Sequence, residues 1–138
     1  MAENTVVKEQ LTEEMIEAGA QLTAKLGEMG LPIAGAMWYF LPDINEWRLL
    51  FASPEVSTVG PRDVYKKVEE ARQALGDKAA AAPFSVIGLI DANHELMQLL
   101  GIALQTGGGV SRIRFSKNVI NGHFVEDALI YRIPPMPA

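Results

Sequence analysis

The segment SRIRFSKNVINGHFVEDALIYRI, Ser111 to Ile133, constrains the fold more than any other stretch of the chain. Asn121-Gly122 separates two runs rich in β-branched and aromatic residues. Both turn residues accept the positive φ that a type I′ turn demands, so the pair is a strong hairpin signal. With these two as the loop, Ile120 faces His123 and every other cross-strand pair follows. One face then holds Val119 with Phe124, Phe115 with Ala128 and Ile113 with Ile130, with Lys117 opposite Glu126 as an ion pair near the tip. This is the expected core face. The other holds Asn118 with Val125, Ser116 with Asp127, Arg114 with Leu129 and Arg112 with Tyr131.

That second face is the candidate site. Arg114 has Asp127 and Tyr131 as diagonal neighbours, within reach of a long side chain. An Arg–Asp–Tyr cluster on a sheet is ordinarily a solvated surface. Here Ile120, Val125, Leu129 and Tyr131 share the face with the charges. Mixed apolar, tyrosine and arginine content is what interface centres favour. Arg112, Arg114, Asp127 and Tyr131 are therefore the candidate partner- or ligand-binding residues. Solvated surface, interface and small-molecule site all stay open at this point.

Upstream, Leu11 to Gly30 reads as a helix. Thr12 is placed as its N-cap, with Leu11 and Ile16 as a hydrophobic staple. Glu13, Glu14 and Glu17 complement the dipole. Met15, Gly19, Leu22, Leu26 and Met29 give one apolar stripe. Gly30 and Pro32 stop the helix. IAGAMWYFL and EWRLLFAS read as two strands joined by the turn PDIN. Both faces of this pair are apolar, so it is either covered on both sides or meets another chain. Gly60-Pro61 opens a second helix with Val64, Tyr65, Val68, Ala71 and Leu75 inward, and Gly76 ends it. FSVIGLI reads as a buried strand. Asp91 or Asn93 then caps a third helix, HELMQLLGIALQ, which ends at TGGG.

The order is α-β-β-α-β-α-β-β. It predicts an α+β fold, a mainly antiparallel five-stranded sheet with three helices packed on it. The 138 residues fit a single domain, with 1–10 and 134–138 as loose tails.

Composition narrows the chemistry. The chain has no cysteine, which removes disulfides, thiolate zinc sites and cysteine nucleophiles and fits a reducing compartment. MAENTVVKEQ has no basic start followed by an apolar run, so no signal peptide is expected. No apolar stretch approaches the roughly 18 residues of a membrane helix. The expected location is cytoplasmic. The net charge of −5 argues against non-specific nucleic-acid binding.

The motif search is mostly negative. TGGGVSR follows a helix, whereas a phosphate loop precedes one, so its carbonyls would face an anion. His94 and His123 lack ligand spacing and read as surface residues, so no metal is expected. There is no Gly-x-Ser-x-Gly elbow and no Rossmann fingerprint. Pro42-Asp43 invites a nuclease reading, but none of the six lysines has an acid two residues earlier. Trp38, Tyr39, Phe40 and Trp47 lack interleaved basic residues and read as core or interface rather than base-stacking groups. No cofactor is implied, and no catalytic signature decides for or against an enzyme.

GGGVSRIRFSKNVINGHFVEDALIYRI resembles the C-terminal segment of a set of small uncharacterised bacterial proteins. WYFLPDINEWRLLFASPEVSTVGPRDVYKKVEEA is similar to their middle segment, with its aromatic strand pair and Gly-Pro-led helix. The resemblance implies a bacterial cytoplasmic origin and a self-contained unit, and it carries no activity over. The leading expectation is a non-enzymatic interaction module that forms a homo-oligomer or binds a protein partner through a sheet face. The alternative is a small-ligand or anion-binding protein, or an enzyme, using Arg112, Arg114, Asp127 and Tyr131.

Overall fold

A computed structural model describes residues 7–107 and 109–134. In chain order the elements are α1 (Glu13–Glu28), β1 (Gly35–Leu41), β2 (Glu46–Ser53), α2 (Glu55–Thr58), α3 (Pro61–Leu75), β3 (Ile87–Asp91), α4 (Glu95–Ala103), β4 (Ile113–Ile120) and β5 (His123–Arg132). Two short 3-10 turns, Gly76–Ala79 and Phe84–Val86, lie between α3 and β3.

The strands form one sheet in the order β3-β2-β1-β5-β4. The α+β class holds, but the sheet is mixed. The pairs β1–β2, β1–β5 and β4–β5 are antiparallel, whereas β2–β3 is parallel. The physical reason is the connection: α2, α3 and both 3-10 turns carry the chain across the sheet before β3, and such a crossover returns the strand parallel. The helix count also departs from three. Four α-helices stand among the described residues, the addition being α2, a single turn that follows β2 at once.

Alternation along β1 splits the core in two. Ala36, Trp38 and Phe40 join the cluster under α1 and α3, with Leu49, Phe51, Val64, Val68, Leu129 and Tyr131. Met37, Ala52, Ala128 and Ile130 join the cluster under α4, with Leu96, Met97 and Leu100. β1 is thus a central strand covered on both sides, which explains its unbroken apolar run.

Helix α1 is built as its ends require. The Thr12 side chain accepts from the Met15 N–H. At the other end Gly30 takes φ +91°, and the N–H groups of Gly30 and Leu31 return to the carbonyls of Gly27 and Leu26. That is a Schellman close, and it needs a residue free of Cβ at Gly30. Helix α4 is capped differently from the expectation. His94 Nδ1 accepts from the Leu96 N–H, and Asp91 instead binds the Asn93 N–H in a local turn. That hydrogen bond holds the Asp91 carboxyl below its ordinary range. β3 is an edge strand and only half-buried, not the buried strand expected.

The closing hairpin has the expected register on both sides of Lys117, from Ile113 opposite Ile130 to Ile120 opposite His123. Asn121 and Gly122 take φ +49° and +80°. The faces do not run straight to the tip, however. Lys117 also takes φ +49°, and the ladder skips the Lys117–Glu126 pair. Beyond this kink the sides exchange. Ile120 and Val125 are buried in the cluster under α4, while Val119 and Phe124, expected in the core, are exposed. Among the described residues no ion pair joins Lys117 to Glu126.

Candidate functional site

The four candidate residues fall into two groups, both on the side of the sheet that α1 covers. Tyr131 and Leu129 sit in the α1–α3 core, and Tyr131 is fully buried. Its hydroxyl donates to the Ile16 carbonyl of α1 at 2.6 Å. The Trp38 indole N–H donates to the Met15 carbonyl at 3.1 Å. Two sheet side chains thus bond the backbone of one helix turn. Gly19 makes this approach possible, since a Cβ there would fall on the Tyr131 hydroxyl. Burial pushes the Tyr131 pKa well above its ordinary value, so the phenol stays neutral. A neutral, buried, hydrogen-bonded tyrosine is a structural group. Arg112 lies further out and pairs with Glu17 at 2.7 Å. Its hydrogen bond lowers the Glu17 pKa, but both groups are solvated and the pair holds little energy.

Arg114 and Asp127 do meet, and more closely than strand spacing alone required. Nε and Nη2 of Arg114 donate to the two carboxylate oxygens, each at 2.7 Å. Lys8 Nζ donates to Oδ2, also at 2.7 Å. The Asp127 side chain is 5% exposed, against 49% for Arg114 and 40% for Lys8. Burial alone would raise its pKa. The hydrogen bonds from Arg114 and Lys8 outweigh that and hold the carboxyl below its ordinary range. The same bond raises the Arg114 pKa. A paired, ionised carboxylate whose oxygens are both engaged is a poor proton acceptor, which counts against a general base here.

The cluster rests on aromatic rings. Phe40 and Trp47 are cross-strand partners with ring centroids 5.2 Å apart. Lys8 Nζ lies 4.8 Å from the Phe40 centroid and 5.7 Å from that of Trp47. The Arg114 guanidinium lies 5.5 Å from the Trp47 centroid. Cations over ring faces at this range are attracted by the ring quadrupole.

Lys8 is the residue that sequence reasoning missed. Residues 7–10 were expected as loose tail, yet they lie fastened across the β1–β2 turn. Asn45 accepts from the Glu9 N–H and donates to the Val7 carbonyl, and the Trp47 indole donates to the Glu9 carbonyl, each at 2.9 Å. No periodicity marks this contact. Phe40–Trp47, by contrast, follows from the strand pair once its register is known. Residues 1–6 and 135–138 lie outside the described part.

Hollows open both beside this site and away from it, including one of about 370 Å³ between Tyr65 and Phe84. A cavity of about 360 Å³ beside α4 is lined by Met97, Ile102, Ile133 and other uncharged residues. Two hollows of about 700 and 480 Å³ flank residues 9 and 10. Among the described residues no three His, Asp or Glu side chains gather to hold a metal ion. Every buried side-chain nitrogen or oxygen among them has a partner. His94 is engaged as a helix cap, and His123 Nε2 lies 3.4 Å from the Tyr39 hydroxyl. Among the described helices none is long and apolar enough to cross a membrane. No protein-family model matches the chain, no curated protein is detectably similar to it, and no solved structure matches it.

Proposed function

We propose that the protein is a non-enzymatic interaction module that pairs with a second copy of itself through the α4 side of its sheet. The carrying observation is the inequality of the two faces. Under α1 and α3 the large side chains Trp38, Phe51, Leu22, Leu26, Val64 and Tyr131 are all sealed. On the other side only the strip beneath α4 is closed. Around it Tyr39, Leu50, Ile90, Ile113 and Phe115 pack on the core but keep part of their surface in water. Ile102 on the outer side of α4 is 65% exposed.

These residues carry no charge, and the neighbouring Arg48, cross-strand from Tyr39, is paired with Glu46 at 2.7 Å. A second copy therefore meets the patch without burying like charges, and a partner chosen by charge finds little to grip. Size points the same way. Five strands about 4.8 Å apart and about seven residues long offer roughly 500 Å² on one face. A standard interface takes about 800 Å² per partner, and because α4 already covers its own strip, the open part of the face with the outer side of α4 suits a dimer at the small end of that scale. The competing reading, ligand binding at Arg112, Arg114, Asp127 and Tyr131, is weaker because these groups spend their best donors and acceptors internally.

The test is solution mass by light scattering for the wild type, Phe115→Glu and Ile90→Glu, with circular dichroism as the fold check. The expected result is a dimeric wild type and folded monomeric variants. A wild type that stays at the chain mass at high concentration overturns the reading. So does a dimer that both variants leave intact.

A further inference from the structure

Residues 7–10 are exposed along their whole length, yet they are read at several points. Asn45 grips the backbone on both sides of Lys8, taking the Glu9 N–H and giving to the Val7 carbonyl. Trp47 binds the Glu9 carbonyl. None of these contacts uses the side chain of Val7 or Glu9. The one side chain read specifically is Lys8. Its ammonium group enters a nook with two aromatic walls, Phe40 and Trp47, and a carboxylate floor, Asp127. Arg114 holds that carboxylate from the other side and keeps it ionised.

Backbone contacts from side chains of the host, with one pocket for one side chain, are how a protein takes an extended peptide. A ring wall and a carboxylate are the chemistry that selects an ammonium group. The trough is also wider than its occupant, since hollows of about 700 and 480 Å³ open beside residues 9 and 10. Residues 7–10 are all exposed, but Phe40 and Trp47 beneath them are each only 4% exposed, so an emptied trough presents two ring faces to the next occupant.

We propose that the trough formed by Phe40, Asn45, Trp47, Arg114 and Asp127 is a binding site for an extended, lysine-bearing peptide segment, and that residues 7–10 are its occupant in cis. A lysine-bearing segment of another chain competes for the same contacts. The tethered segment acts as a built-in competitor, with an effective concentration in the millimolar range typical of short tethers. This site lies on the opposite side of the sheet from the proposed dimer face and does not rest on that reading.

The experiment uses the full chain carrying Lys8→Ala, which empties the nook while leaving every residue of the trough in place. A synthetic peptide of residues 6–11 is titrated in while the Trp47 indole N–H resonance is followed. The same peptide with its lysine acetylated serves as the comparison. The free lysine peptide is expected to shift the resonance to saturation. The acetylated one should bind at least about ten-fold more weakly, because it lacks the charge that the carboxylate and rings select. Wild-type chain should need several-fold more peptide than the variant, since its own segment competes. Full-chain Lys8→Gln repeats the titration should Lys8→Ala lose its fold. Equal binding of the two peptides, or no binding to either variant, overturns the proposal.

Discussion

Gly19→Ala should destabilise this protein, against the usual rule for helix interiors. Replacing a mid-helix glycine by alanine ordinarily gains about 1 kcal/mol. At position 19 the added Cβ would fall on the Tyr131 hydroxyl and 2.7 Å from both Trp38 Nε1 and Tyr131 Cε2. Both rings are fully buried, so neither has room to swing away. Overpacking of this kind costs about 1–3 kcal/mol. Displacing the tyrosine also separates its hydroxyl from the Ile16 carbonyl, a loss of about 1–3 kcal/mol for a buried group. Set against the propensity gain, the net loss is about 3 kcal/mol, within a range of about 1–5. Gly27→Ala on the same helix is the control. Its Cβ would lie 3.6 Å from Arg132 Nη1, an ordinary contact, so up to about 1 kcal/mol of the propensity gain should survive. Urea unfolding measures both, with an unchanged m-value showing that the difference is one of stability. Adding Tyr131→Phe to Gly19→Ala removes one of the overlapping atoms and should restore part of the loss, but not all, because Trp38 still blocks. A Gly19→Ala variant as stable as the wild type would refute the account of how α1 docks.

Two further predictions concern the hairpin. Asp127→Asn should cost about 1–2 kcal/mol, below the range for fully buried pairs because Lys8 and Arg114 are each substantially solvated. The folded carboxyl sits below its unfolded value, so its contribution is complete above about pH 4 and fades as the pH falls through the folded value. Acid titration of stability should therefore show a shallower fall for Asp127→Asn, and identical slopes would count against the pairing. Gly122→Ala, at φ +80°, should cost about 1–2 kcal/mol in thermal unfolding, whereas Val119→Thr, at 64% exposure, should change it by less than about 0.5. A large effect at Val119 would show that the tip faces are assigned the wrong way round.

The legible parts of this fold are those set by local chemistry. Asn121-Gly122 fixed the hairpin register, Thr12 and Gly30 the ends of α1, and Gly60-Pro61 and Gly76 those of α3. Pairwise register, however, does not say which neighbour covers a face. Tyr131 looked surface-bound beside Arg112 and Arg114, and it is buried because α1 lies over that end of the strand. Nothing in its own strand encodes α1. The exchange of sides at the tip was hidden for a related reason. It depends on a positive φ at Lys117, a residue with no special tendency to adopt one. The parallel β2–β3 pair follows from tertiary routing, and the Lys8 contact spans 119 residues of sequence. Of the candidate site, the Arg114–Asp127 pair was readable from register alone. Its aromatic support and third partner were not.

The unequal faces have a cause in the chain path. A sheet five strands wide spans about 24 Å, and a helix about 10 Å, so closing one face takes two helices. The chain places α1 and α3 on one side and leaves the nine residues of α4 alone on the other. The uncovered positions are mixed: Arg48, paired with Glu46, stands cross-strand from Tyr39, but Tyr39, Leu50, Ile90, Ile113 and Phe115 make most of that surface apolar. The sheet edges are treated differently. β4 carries Lys117 at a kink in its ladder, and α2 packs beside β3. Lysine, kinks and covering elements are the devices that discourage edge-to-edge pairing. Under the proposed reading, guarded edges and an incompletely covered face leave face-to-face contact as the route by which two copies would meet. The Phe115→Glu and Ile90→Glu variants address that face, because each places a charge where a second sheet would have to close over it.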